Sequence, residues 1–257
     1  MSYLLHPSAQ QGFSQNAALY QQSRPNYPYD LIHWLKNTLK LHKKSKVVDL
    51  GAGTGKFIPY LQQVTPYIFA VEPIAEMLDQ LVQQYPDIHT IQTDSKNLSL
   101  PSHSIDAIIC AQSFHWFANS ESLDEIYHVL KPKGALGLIW NQRDISVDWV
   151  KAIADLITPL EGDTPRFHRG TWQQAFEQQH LFQLQSTEKM QLLHQGTIEQ
   201  VVIGRILSTS FIAAASVAEK ESIRQALIKI IDKYLGKQPN DTIDFPYVTY
   251  AYHYQKC

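Results

Sequence analysis

The chain reads as an α/β protein: a doubly wound, mostly parallel seven-stranded sheet with an antiparallel edge strand, plus a helical cap. Three observations predict this. Short β-branched runs alternate with helical patterns across roughly 100 residues, from 46 to 140, as in a sheet with helical crossovers. A glycine-rich turn, Gly51-Ala-Gly53-Thr-Gly55, joins the first strand candidate to the following helix. Beyond Trp140 helical patterns dominate, but 181–193 and 245–254 alternate apolar with polar residues, as half-buried strands do.

Each element follows in order. Residues 1–29 are polar and aromatic, interrupted by Pro25 and Pro28, and read as an arm. Asp30 stands where it would cap a helix to about Leu41, with Leu31, Trp34, Leu35 and Leu39 on one side. Strands are expected at 46–50, 68–71, 88–92, 105–111 and 135–140. Helices are expected at 56–63, 74–85 and 122–130, with Pro132 and Gly134 ending the last. Further helices are expected at 148–157, 171–179, 198–208 and 217–235. In open sheets of this type ligands bind at the carboxyl ends of the strands, near the switch point. The organisation is thus an arm (1–29), a ligand-binding core (30–141), and cap insertions with the last sheet strands (142–257).

Composition narrows the function. The formal net charge is -2 and the charged fraction is 18%. No basic stripe is evident, so nucleic-acid binding lacks electrostatic support. The two cysteines, Cys110 in an apolar run and Cys257 at the end, do not suggest a disulfide and suit a reducing cytosol. No signal-peptide pattern opens the chain, and no apolar stretch approaches the roughly 20 residues of a membrane span. No Cys/His cluster suggests a metal.

The glycine turn carries the chemistry. A P-loop would need glycine at Leu50 and a hydroxyl at Phe57, and fails at both. A dinucleotide fingerprint matches Gly51 and Gly53, but its third glycine comes one residue early, at Gly55. Asp49, immediately ahead of the turn, would also face a pyrophosphate. A carboxylate there suits a cation instead. S-adenosylmethionine has an ammonium and a sulfonium and no phosphate, so Asp49 fits its methionine end, directly or through water.

At this point the chain resembles the class I S-adenosylmethionine-dependent methyltransferases. Asp49-Leu-Gly51-Ala-Gly53-Thr-Gly55 looks like their first motif. Glu72, ending the second strand candidate, matches the acid that takes both ribose hydroxyls. Asp94 matches the acid at the adenine amino group, with Ser95 beside it. The stretch from Asp106 to Phe117 looks like the fourth motif and the edge that follows it. Leu130-Lys-Pro-Lys-Gly134 resembles the Leu-Lys-Pro-Gly-Gly turn, with Lys133 replacing a glycine. The closer likeness is to the small-molecule type 11 branch, which includes trans-aconitate-like carboxyl methyltransferases. His115-Trp116-Phe117, 24–28 and 140–144 carry that likeness, and residues beyond 142 are similar only in outline.

The resemblance implies a Rossmann-like sheet, S-adenosylmethionine as cofactor and a small-molecule acceptor. Cofactor contacts fall to Asp49, Gly51, Gly53, Gly55, Glu72, Asp94, Ser95 and Gln112, with Tyr20 or Arg24 reaching over from the arm. His115 and Trp116 would stand beside the transferable methyl, Trp116 as a wall and His115 orienting the acceptor or taking its proton. Phe117, Asn141 and Arg143 would meet the acceptor, with Arg166 and Arg169 as further candidates. The C-terminal tyrosines, Tyr247 included, are expected to pack a sheet face. A carboxylate acceptor needs no base. The expectation is a cytoplasmic monomer or homodimer with no nucleic-acid partner. Two other classes stay open: a catalytically silent S-adenosylmethionine-binding protein, and an NAD-dependent oxidoreductase, which the glycine spacing opposes.

Overall fold

The computed structural model describes residues 24–177 and 179–257, and the statements below concern those residues. Seven strands are present: β1 Val47–Leu50, β2 Ile68–Val71, β3 His89–Ile91, β4 Ile105–Ala111, β5 Leu130–Arg143, β6 Phe182–Thr197 and β7 Thr242–Lys256. They form one sheet in the order β3-β2-β1-β4-β5-β7-β6. The first five run parallel, and β7 lies antiparallel to both β5 and β6. Helices α1 Asp30–Asn37, α2 Ile58–Gln62, α3 Ala75–Gln84 and α4 Ser120–Val129 accompany the parallel half.

Strand β1 shows why the parallel half reads as unbroken apolar runs. All four of its residues are buried, because helices cover both faces. Its side chains alternate between layers: Val47 packs with α1 and α2, while Val48 and Leu50 pack with α4. The strand order reverses between β1 and β4, so a crevice opens at their carboxyl ends.

The second half is longer-stranded than its sequence suggests. β5 continues past Trp140 to Arg143 because antiparallel pairing with β7 persists to the Arg143↔Tyr247 pair. Since β7 runs the opposite way, its early residues reach the edge where the parallel strands end. Tyr247 is thereby brought to the crevice side of the sheet.

Between β5 and β6 lies α5 Asp148–Ile157, and between β6 and β7 lie α6 Arg205–Leu207, α7 Ser210–Ala213 and α8 Val217–Leu235. These pack with Phe245 and Tyr247 into a third apolar cluster. A capping box, Ser216 with Glu219, starts α8, and Gly236 at φ 62° ends it.

Three local expectations change. Tyr29, not Asp30, occupies the cap position of α1; Asp30 is its first helical residue and makes no capping bond, although its charge suits the helix start. Residues 171–176 form a 3-10 segment rather than a helix to 179; Trp172 and Phe176 there pack on Trp140 and Tyr254. The expected helix over 198–208 is a π-helical stretch, Glu199–Gly204, running into α6. Such widened turns often accompany functional sites.

Candidate active site

Two adjoining cavities occupy the crevice. The first lies at the carboxyl ends of β1 to β4 and is bordered by Asp49, Gly51, Gly53, Glu72, Asp94 and Ser95, with Phe57, Met77, Trp116 and Phe117 as apolar walls. The second lies at the end of β5, roofed by residues from 161–168 and 205–211. Arg24, Gln112, Trp116, Asn141 and Arg205 border both.

The turn after β1 is built by left-handed backbone. Gly51, Gly53 and Gly55 have φ of 71°, 57° and 85°. A Cβ at Gly51 would stand 2.5 Å from the Ser113 Cβ, so only glycine lets this turn close on the loop after β4. At Gly53 the nearest atom would be Met77 Cε at 3.3 Å, and this glycine keeps the cleft open. Ser113 secures the same junction by donating to the Leu50 carbonyl at 2.6 Å.

Two carboxylates meet under the turn. Asp49 is 1% exposed, and neither of its oxygens has a hydrogen-bond partner. Burial, and then the neighbouring Glu72, push its pKa up to about 8. Glu72 accepts from Gly53 N at 2.9 Å and Ile74 N at 3.0 Å, yet burial still raises it to about 7. A buried acid with no partner is costly, and a cationic ligand in the cleft would relieve it. Asp94 receives Lys96 N at 2.9 Å, and Ser95 shares a 2.7 Å hydrogen bond with Ser122.

The arm's end is tied in by polar contacts. Lys56 Nζ donates to the Arg24 carbonyl at 2.9 Å and to Asn26 Oδ1 at 3.2 Å. Burial, with Arg24 adding to it, lowers the Lys56 pKa to about 8. Asn141, 6% exposed, donates to the Asn26 carbonyl at 3.0 Å and accepts from Thr249 at 2.7 Å. It therefore positions the arm as well as bordering both cavities.

The second cavity is dominated by cations: Arg24, Arg143, Arg166 and Arg205 against one acid, Glu161. Desolvation, then Arg205, lowers the Arg143 pKa to about 10; desolvation also brings Arg166 to about 10. Both remain charged at neutral pH. Glu161 is engaged by His168 at 3.0 Å and Arg169 at 3.7 Å. Arg166 lies over the Phe211 ring at 4.7 Å and donates to Ser210.

His115 does not suit the proton-accepting role considered for it. Its Nδ1 accepts the Trp140 indole N–H at 3.0 Å. Burial, with Arg166 and Arg24 adding repulsion, lowers its pKa to about 3. The ring is neutral at working pH, and with Nδ1 occupied the proton sits on Nε2, which can only donate.

Other placements also differ from expectation. Phe117, at the end of the 3-10 segment Phe114–Trp116, lines the first cavity and not the second. Gly55 borders neither; a Cβ there would stand 2.9 Å from the Tyr85 ring, so its absence makes room for that ring. Arg169 lies outside the second cavity and donates to the Gly162 carbonyl at 2.6 Å. Tyr20 lies outside the described residues. Sequence reasoning missed Arg205, Glu161 and Tyr247. Arg205 had a readable signal: a lone cation in the apolar run Val-Val-Ile-Gly-Arg-Ile-Leu, where it is 8% exposed.

A switch-point crevice with a glycine turn, acids at successive strand ends and an adjoining second cavity defines a class of ligand-binding α/β enzyme. Residues 48–138 match the family described as a methyltransferase domain. A methyltransferase-like protein of Schizosaccharomyces pombe is 34% identical over 245 residues, 95% of each chain. A second methyltransferase of that yeast is 34% identical over 256 residues, 95% of this chain and 96% of the other. A Mycobacterium tuberculosis methyltransferase is 29% identical over 237 residues, 92% of each. The fold is shared with a putative type II methyltransferase from Anaeromyxobacter dehalogenans: TM-score 0.68, 18% identity, covering 90% of this chain and 96% of that one. The chain belongs to the class I S-adenosylmethionine-dependent methyltransferases.

Proposed function

We propose that the first cavity holds S-adenosylmethionine and the second a small carboxylate, whose oxygen is methylated. The carrying observation is the charge of the second cavity, four arginines against one engaged acid, opening directly beside the first. Within the first cavity, the partnerless Asp49 suits the methionine ammonium and Glu72 the ribose hydroxyls. Asp94 and Ser95 stand at the adenine end, and Arg24 suits the methionine carboxylate.

When bound, the cofactor supplies an activated methyl group. The residues of this chain then need only align the acceptor and exclude water. Arg143 and Arg166 draw a carboxylate into the second cavity, and Trp116 forms the wall common to both. A bound S-adenosylmethionine would supply its methyl group to a carboxylate oxygen aligned by these arginines, the products being a methyl ester and S-adenosylhomocysteine. No proton moves, which agrees with a His115 that cannot accept one.

The test is a labelled-methyl transfer screen over small carboxylic acids, phenols and quinone precursors. The expected product is a base-labile methyl ester. Methylation confined to phenols or carbon acids would overturn the carboxylate reading, and cofactor binding with no product from any acceptor would overturn catalysis.

A further inference from the structure

Trp140 opens the Trp-Asn-Gln-Arg-Asp stretch and is fully buried near the end of β5. Its neighbour Ile139 pairs with Ala111, the last residue of β4, so Trp140 stands beside the loop that carries His115. Trp172 at 4.7 Å, Phe167 at 4.9 Å and Tyr252 edge-on at 5.9 Å clamp its ring. Phenylalanine would serve such packing as well. A buried indole adds a polar N–H, which needs an acceptor. Here the acceptor is His115 Nδ1, 3.0 Å away.

This one bond decides what His115 can do. An indole nitrogen only donates, so the ring nitrogen it meets carries no proton. Burial keeps the imidazole neutral, and a neutral imidazole holds one proton. That proton is on Nε2, and Trp140 is the group that puts it there. The bond from Trp140 is the only hydrogen bond His115 makes among the described residues. His115 borders the second cavity, and the next residue, Trp116, borders both. The Nε2–H is thus left for a ligand close to where the cavities meet.

We propose that Trp140 is a positioning residue for the acceptor: its N–H holds His115 as a fixed Nε2–H donor to a lone pair of the bound acceptor. The inference rests on the reading of the second cavity as the acceptor site. The arginines there supply charge, and a single N–H of set direction supplies orientation. A donor aligns its partner only if it is itself held, which is the task of the aromatic clamp. The arrangement also selects. A ring locked in this tautomer offers the cavity no lone pair, so it serves acceptors whose nucleophilic atom has no proton to lose.

The experiment uses Trp140→Phe, which keeps the stacking and removes the N–H, with His115→Ala and the double variant. Long-range proton–nitrogen correlation spectra of histidine-labelled protein, with S-adenosylhomocysteine bound, read the tautomer. The signal lost in His115→Ala identifies the residue. KM and kcat are measured for the acceptor best methylated in the labelled-methyl screen, and melting temperature and S-adenosylhomocysteine affinity report on folding. The wild type is expected to carry the proton on Nε2, and Trp140→Phe to show a mixture of tautomers. Trp140→Phe is expected to raise acceptor KM about five- to thirtyfold, with kcat changed less. In the His115→Ala background the same substitution is expected to change KM by less than about twofold. A wild-type ring protonated on Nδ1, a tautomer unchanged in Trp140→Phe, or an equal KM effect in both backgrounds would overturn the inference and leave the acceptor site standing. The wild-type spectrum tests the tautomer whatever the stability of Trp140→Phe. No acceptor bound or methylated would overturn the reading of the second cavity and the inference with it.

Discussion

The buried pair Asp49 and Glu72 predicts that cofactor binding is linked to proton release. Their pKa values in the ligand-free protein are raised to about 8 and about 7, by burial first in each case. At pH near 6 both carry protons, and a cationic ligand must displace them. Affinity for S-adenosylhomocysteine, which retains the ammonium, should therefore climb from about pH 6 to 7.5, by up to tenfold per unit per proton released. Above about pH 8 both acids are already ionised and the rise ends. The stability of the ligand-free protein moves the other way. An acid whose folded pKa is raised contributes stability that is full below its unfolded value, 3.8 for Asp49, and is lost as pH rises through about 8. At about 1.4 kcal/mol per unit, the loss is on the order of 5 kcal/mol. Hence the gain in melting temperature on adding ligand should widen with pH up to about 8. Asp49→Asn removes the titration and the counter-charge; it should weaken binding by about 2 to 4 kcal/mol, roughly 30- to 1000-fold, and flatten the pH profile. Calorimetry in buffers of different ionisation enthalpy counts the protons directly. An affinity independent of pH over about 6 to 8, or an Asn variant with the wild-type profile, would refute the reasoning.

Other outcomes follow from the same geometry. His115→Gln should keep the shape of the pH–rate profile above about pH 5, because the wild-type ring is neutral there; loss of a limb near pH 6 to 7 would show that it titrates. Gly51→Ala should cost about 2 to 4 kcal/mol, lowering the melting temperature by at least ~4 °C, since its Cβ meets Ser113 on a left-handed backbone. Gly53→Ala should cost about 1 kcal/mol but weaken cofactor binding; the reverse order in scanning fluorimetry would contradict the packing account. Asn141→Ala should raise KM for cofactor and acceptor together, with about 2 kcal/mol of stability lost, as the arm's tie to β5 is cut. Unchanged KM values would deny it a positioning role.

Much of this was legible in the chain. Asp49 ahead of three glycines selected a cationic ligand over a phosphate because charge and spacing are local properties. Glu72 and Asp94 were legible because strand ends in a doubly wound sheet face one crevice. Tyr247 packs in the core as its even spacing suggests, but its place beside the second cavity comes from the β5–β7 register. Phe117, expected at the acceptor, lines the first cavity, a placement that depends on the fold of the loop after β4. His115 looked like a base because sequence shows neither its burial nor the indole on Nδ1.

The sequence by itself determined the mostly parallel sheet and the glycine turn and acids of the first cavity. These depend on periodicity and on short motifs whose parts are neighbours in the chain. Only the tertiary structure decided the second cavity. Its cations come from Arg24, Arg143, Arg166 and Arg205, four separate segments. Its tyrosine reaches the crevice because β7 runs antiparallel to β5 and brings Tyr247 opposite Arg143. Register across a sheet is a long-range property, fixed by the packing of the whole face rather than by any local pattern.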